Sequence, residues 1–594
     1  MKSLLFIFAF CCFQSVFSQD NFLAKQYLND GAYEKAVIFY EKLVAQNPRR
    51  TDYTEGLITC YQQLERYQEV EDLLHKKIKA GNVHPVFLVE LGYNHTLQDM
   101  PEKAIIYYDK ALDILDENPN FGYGVGFRFQ KYAILDYAIK AYTKAMELNP
   151  ELNFNFQLAR IYGEQGNVSK MYDSYLELII TGRASKANVL RNIDDFITED
   201  GENENNIRLK KILLQRAQKN PDVLWNELLS WLFVQQKQYK SAFTQEKAIY
   251  KREQQSSLLR MENLGNIALE NNAITNAEDI YQYIVDSSQD KVIKLNAQLN
   301  LIDIDLLDGN EKKYDAVLKT FEKLIEQYGY QPNTLQLPIA YANFLTFKKE
   351  EPKKAIIILK NSLEMPLNRF GEGYVKMALG DILVFDKKFN EALIYFSQIQ
   401  KKLKNDVMGQ NARFKVAQTS FYKGDFDWAL TQLKVLRSST SQLIANDAMQ
   451  LSLLISDNSL EDSTQTALKK YARADLLGYQ NKTKEAIAVL EDILQNHKGE
   501  KIEDEALMKQ AALLENSKDY EAAKFNYQKI VEFYGNDILA DDAHFALAEL
   551  YRNILSEPEK AKQHYEKIIY NYQDSYYFPQ ARKNFRQLRG DFIN

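Results

Sequence analysis

Residues 87–119 read FLVELGYNHTLQDMPEKAIIYYDKALDILDENP, and residues 120–150 continue NFGYGVGFRFQKYAILDYAIKAYTKAMELNP. The second stretch superimposes on the first with a shift of 34 residues: Gly92 falls on Gly126, Ala104 on Ala138, Tyr108 on Tyr142 and Ala111 on Ala145. A fixed period of this length marks a repeat architecture and outranks any local motif. In each copy a helix carrying the Gly is followed by a polar turn, then by a helix with Ala, Tyr and Ala at i, i+4 and i+7, which share one face. The Gly and Ala positions let the two helix axes come close, the Tyr fills the space beside that approach, and Asn149-Pro150 ends the second helix.

Working outward, the pattern begins with Leu23, Ala24, Tyr27, Gly31, Tyr33, Ala36, Tyr40 and Pro48. Ala36, Val70, Ala104 and Ala138 then follow at intervals of 34 residues. The copy at Thr51–Gly81 is degenerate, with Val70 and Leu74 in place of Ala and Tyr. A fifth copy carries Leu158, Ala159, Tyr162, Gly166, Met171 and Tyr175. Residues 182–221 break the rhythm: ANVLRNIDDFI, an acidic loop TEDGENENN and LKKILLQRAQKNP read as a degenerate repeat with an enlarged turn, the expected hinge between sub-arrays. Later copies are marked by Leu229, Tyr239 and Ala242, by Leu264, Gly265, Ala277 and Tyr281, and by Leu379, Gly380, Phe389, Ala392 and Phe396. Three segments share an acidic A-[ND]-D-A or I-E-D-E-A theme, at 445–448, 502–506 and 540–543. They are expected to start helices, where carboxylates suit the positive end of the helix dipole.

This small-residue pattern, L-G, then Y, then A, F/Y and A, then P, resembles the tetratricopeptide repeat. The resemblance implies an all-α chain, an α-solenoid of thirteen or so tandem helical hairpins in a right-handed superhelix. The C-terminal ILADDAHFALAELY, EKAKQHYEKII and DSYYFPQARKNFRQLRG also resemble envelope tetratricopeptide proteins of the outer-membrane assembly lipoprotein and Tol-Pal accessory type, and exported repeat proteins of Bacteroidota. The mature chain lacks the N-terminal lipid-bearing Cys of the assembly lipoprotein. The expected organisation is a signal peptide at 1–18, an N-terminal array at 19–181, the degenerate segment at 182–221, a central array at 222–437, and a C-terminal array at 438–594 closed by a basic-faced capping helix.

Composition agrees. The chain has 594 residues, too many for one compact core, with only 23 Gly and 12 Pro to break helices. Net charge is -7, with no basic stripe of the kind a phosphate backbone needs, so nucleic acid is not an expected partner. Met1-Lys2-Ser3, the apolar run Leu4–Phe13 and Val16-Phe17-Ser18 form a secretory signal pattern with cleavage expected before Gln19. A lipid-anchored variant needs small residues before the modified Cys, whereas Cys11 follows Phe10 and Cys12 follows Cys11. The apolar run is too short to span a bilayer, and no second segment is long enough. Cleavage leaves Cys60 alone, so no internal disulfide is expected. The expected product is therefore periplasmic, or held at the outer membrane through partners.

Chemistry-bearing motifs do not assemble. Gly122, Gly124 and Gly126 lack the spacing and the Lys-Ser/Thr of a phosphate loop. The six His form no zinc pattern. Ser456-Asp457-Asn458 has no K-T-G partner. The acidic loop at 200–206 lacks the ligand spacing of an EF-hand, and Arg589-Gly590-Asp591 reads as a chance tripeptide. No catalytic residue, cofactor or metal is expected. The resemblance implies instead that the useful surface is the inner face of each repeat's first helix, which here includes Tyr93, Phe156, Arg160, Tyr374, Met377, Asp381, Phe414, Gln418 and Phe421. Aromatics with a few polar hooks suit protein or peptide recognition. The expected function is a non-catalytic interaction scaffold of the bacterial cell envelope. The alternative is an accessory factor of outer-membrane assembly or of peptidoglycan and cell-division machinery.

Overall fold

The structure is a computed structural model that describes residues 20–79, 84–253, 257–437, 441–459 and 464–591. The expected signal peptide, residues 1–18, lies outside the described residues. Every regular element among the described residues is helical, and within each compact unit most consecutive helices pack as hairpins. Val86–Leu97 pairs with Pro101–Glu117, and Gly122–Lys131 with Leu135–Leu148. Near the other end, Ile502–Asn516 pairs with Tyr520–Phe533, and Ala540–Asn553 with Pro558–Asn571. In the N-terminal pair the first helices stack on one another, Val86–Leu97 on Gly122–Lys131, and so do the second helices, Pro101–Glu117 on Leu135–Leu148, whereas in the C-terminal pair Tyr520–Phe533 packs on Ala540–Asn553. The fold is an all-α solenoid of tandem hairpins.

Close approach of the two helices sets the hairpin. Ala36, Val70, Ala104 and Ala138 are all buried. A methyl group added at Gly92 would lie 2.2 Å from the Tyr108 ring, and one at Gly126 would lie 2.4 Å from the Tyr142 ring. The same fit recurs at Gly265 against Tyr281, at 2.7 Å, and at Gly380 against Phe396, at 2.4 Å. In each case the aromatic residue lies 16 positions after the glycine. A ring of this size removes about 150–250 Å² from water, and it fits only because its partner has no side chain.

Backbone φ is positive at Gly31, Glu65, Asp99 and Ala133, again 34 residues apart. Each closes a first helix by a six-residue hydrogen-bonded loop. Arg66 N–H donates to the Tyr61 carbonyl at 2.8 Å, Met100 N–H to His95 at 3.0 Å and Ile134 N–H to Phe129 at 2.9 Å. Toward the C-terminus the same turn falls at Lys387 and Gly424, then at Asn481 and Lys518, an interval of 37 residues in both cases.

The described chain forms two compact units, one ending at Gln238 and the other beginning at Tyr239. In the first, residues 182–221 contain a short helix, Lys186–Asp194, and a long one, Glu204–Lys219. The intervening loop is held by Asn206, whose Nδ2 donates to the carbonyls of Thr198 at 2.8 Å and Asp200 at 2.7 Å. The long helix is tied back to Val168–Ile180 by Arg216, 2.7 Å from Asp173 and 2.9 Å from Glu177.

In the second unit the helix Thr466–Tyr479 stacks on Val407–Lys423, while Gln442–Ser459 packs mainly on Phe426–Leu436. The expected helix start at Ala445-Asn446-Asp447-Ala448 is corrected here. That helix runs from Gln442, so Asp447 lies in its second turn, beyond the N–H groups that a first-turn carboxylate faces. The other two segments do place carboxylates in first turns: Glu503, Asp504 and Glu505, then Asp541 and Asp542.

Candidate protein-binding surfaces

In the first unit the three expected residues have different surroundings. Tyr93, on Val86–Leu97, is stacked on Tyr132 with ring centroids 3.7 Å apart and an interplanar angle of 9°. Tyr132 in turn donates its hydroxyl proton to Glu90 at 2.7 Å. Glu90 also accepts from Arg128 at 2.6 Å, and Arg128 reaches Glu55 through its other terminal nitrogen. Glu55, Glu90 and Arg128 come from the first helices of three successive repeats. Burial pushes the Glu90 carboxyl above its ordinary range, against the pull of Arg128 and the Tyr132 hydroxyl. Tyr93 is thereby fastened to a polar spine rather than standing free. Phe156 remains 42 % exposed beside the edge of Tyr175, and Arg160, one turn on, is exposed.

In the second unit Tyr374 is 50 % exposed, whereas Met377 packs against the core built around Leu379, Leu383 and Phe396. Asp381 departs from the open polar hook that was expected. Its carboxylate lies 3.0 Å from Lys415, and the hydroxyl of Tyr479 donates to its backbone carbonyl at 3.1 Å. The adjacent Gln480 donates to the carbonyl of Phe385 at 2.6 Å and Asn481 to that of Phe347 at 3.1 Å. The turn after Thr466–Tyr479 therefore covers this part of the first-helix face. Burial raises the Asp381 carboxyl, with Lys415 acting against it.

Phe414, Gln418 and Phe421 all border one cleft, so the structure brings these three together. Phe421 needs correction as an exposed contact. It is 1 % exposed and its ring lies 5.7 Å from that of Phe426, inside the core. Its ring turns toward the hairpin partner, the helix Phe426–Leu436. Phe414 and Gln418 are half-buried.

The cleft measures about 1000 Å³ and is lined by eight carboxylates against two lysines. Asp457, Asp504, Glu505 and Asp542 are among them, and the sequence reading did not collect them as a site. The available signal was the acidic helix starts at 504 and 542, which the helix dipole accounts for individually but which converge only through stacking. Burial, and then the neighbouring Asp504, push the Glu505 carboxyl up to about 9. Burial raises Asp542 to about 6, while a 3.0 Å hydrogen bond from Tyr577 opposes this. Among the described residues no group of three His, Cys, Asp or Glu side chains is arranged to hold a metal ion, and no helix is long and apolar enough to cross a membrane.

Stacked hairpins with exposed aromatics and a mixed apolar and acidic cleft define a helical-repeat protein. Residues 505–537 and 542–575, the two hairpins that border the cleft from its C-terminal side, match the tetratricopeptide repeat family. A TPR repeat-containing protein of Methanocaldococcus jannaschii is 27% identical over 159 residues, which is 26% of this chain and 28% of that protein. The BBSome complex member BBS4 of Mus musculus is 30% identical over 88 residues, 15% of this chain and 17% of that protein. The general transcriptional corepressor trfA of Dictyostelium discoideum is 23% identical over 121 residues, 20% of this chain and 9% of that protein. The chain thus spans less than a third of the length of each of these curated relatives. Among solved structures, yeast Tom70 is 14% identical, with 84% of this chain and 98% of that chain covered at a TM-score of 0.30. Cut9 in the APC/C Cut9-Hcn1 hetero-tetramer is 12% identical, with 96% of each chain covered at a TM-score of 0.23.

Proposed function

We propose that this protein is a non-catalytic interaction scaffold of the bacterial cell envelope, exported through residues 1–18 and acting in the periplasm or at the outer membrane through its partners. The observation that carries the scaffold reading is Tyr374, a large aromatic half exposed on a first-helix face whose neighbours Met377 and Asp381 are already held. A rigid exposed ring on a packed helix suits a binding anchor, because little side-chain freedom is lost when it is covered. The export reading is supported by the n-, h- and c-regions of the first eighteen residues.

Two measurements test this. N-terminal sequencing of protein from a periplasmic fraction is expected to begin at Gln19; an intact Met1 in the cytosol sinks the export reading. A pull-down from detergent-solubilised envelopes is expected to capture a partner that the Tyr374→Ala variant loses while keeping its melting temperature. A truncated anchor of this kind commonly costs about 2 kcal/mol or more. Equal capture by both proteins sinks the assignment of this face.

A further inference from the structure

The cleft at 414–542 gathers carboxylates beside apolar side chains. Its floor is apolar, with Phe414, Leu451, Leu454 and Met508. Its walls carry eight carboxylates against two lysines, and neither lysine is free: Lys509 is paired with Asp475 and Lys501 is also engaged. Glu505 Oε1 accepts from Asn458 at 3.3 Å, but its Oε2 is buried with no hydrogen-bond partner. A carboxylate in low-dielectric surroundings beside like charges is destabilised unless a cation reaches it. Burial and then the neighbouring Asp504 push the Glu505 carboxyl up. The cation that fits is not a bare metal ion, since no three ligating side chains converge among the described residues. A volume of about 1000 Å³ with an apolar floor matches several side chains rather than one small ion.

We propose that this cleft docks a basic segment of a partner protein, with Lys or Arg side chains reaching Asp457, Asp504 and Glu505 and a large apolar residue lying on Phe414 and Met508. The occupant follows from charge complementarity: acidic walls take the cations, and the apolar floor takes the residue between them. The proposal rests on the scaffold reading and adds the chemistry of the partner.

The test uses the purified full chain and fluorescein-labelled synthetic peptides, read by fluorescence anisotropy. The probes are a peptide of alternating Lys and Leu, its Glu-Leu counterpart and a Lys-Ser version without apolar side chains. The Lys-Leu peptide is expected to bind, the Glu-Leu peptide not to bind, and the Lys-Ser peptide to bind about tenfold more weakly. Glu505→Gln and Phe414→Ala should each weaken Lys-Leu binding about tenfold or more, whereas Glu151→Gln, an exposed acid in the other unit, should leave it unchanged. Circular dichroism melts of each variant establish that it is folded. Equal binding by a folded Glu505→Gln variant overturns the proposal, as does equal weakening by Glu151→Gln, which would mark general attraction to an acidic chain. Self-association of the parent that the cleft variants abolish also overturns it, because the occupant is then a second copy. A failed peptide test alongside Tyr374-dependent capture from envelopes removes the cleft assignment and leaves the scaffold reading standing.

Discussion

At the scale of single residues, this structure is decided by where side chains are missing. Gly126 and Gly124 lie on the same helix two residues apart, yet they predict opposite outcomes. An added methyl at Gly126 meets the buried Tyr142 ring at 2.4 Å, so Gly126→Ala should destabilise by about 1–3 kcal/mol. At Gly124 the nearest atom is 3.5 Å away, so Gly124→Ala should stabilise by about 0.5–1 kcal/mol through helix propensity alone. Urea denaturation of the two variants checks this; equal shifts would mean that the ring does not set the helix spacing. The Gly126–Tyr142 pair was legible in the sequence because the 34-residue period places it beside Gly92 and Tyr108. Phe421 was not. Spacing along one helix names a face only to within the width of a side chain, and Phe421 falls where the first-helix face turns toward Phe426.

At the scale of the element, adjacent helices are also joined by polar side chains that no periodicity announces. His544 on Ala540–Asn553 and His564 on Pro558–Asn571 meet Nδ1 to Nδ1 at 2.9 Å, one donating and the other accepting. Both imidazoles are held neutral, their pKa lowered from 6.5 to about 4, by burial first and, for His544, by its partner. The unfolded chain therefore binds these protons more readily than the folded one between those values. The stability is fully present above about pH 6.5 and is lost as pH falls through about 4. Melting temperatures across that range should fall more steeply for the parent than for His564→Gln, which keeps a hydrogen-bonding group and removes one titration. Parallel curves would show that this pair does not sense pH. The acidic cleft escaped the sequence reading for the same reason as this pair. Its lining comes from segments more than a hundred residues apart, from Phe414 to Asp542, and only stacking brings them together.

At the scale of the whole molecule, a solenoid holds together through neighbours, so damage should remain local. Ala138 is buried in a core shared with Ala104, Tyr108 and Phe129, so Ala138→Leu should overpack it by about 1–3 kcal/mol. Hydrogen exchange is expected to accelerate in helices Pro101–Glu117 and Leu135–Leu148, while Tyr520–Phe533 and Pro558–Asn571 keep their protection. Uniform loss of protection along the chain would instead mean that the two compact units unfold as one.

The Glu55–Arg128–Glu90 spine gives the first unit a property that its apolar contacts lack. Repeats joined only by small and aromatic residues are interchangeable, and gene duplication or recombination can add or remove one with little penalty. Excising the period that carries Arg128 would leave Glu90 buried without a counter-charge, and breaking a buried pair in this way costs about 3–5 kcal/mol. The spine therefore fixes the copy number and order of these repeats. Their line of descent can change by substitution at the surface far more easily than by shuffling whole repeats.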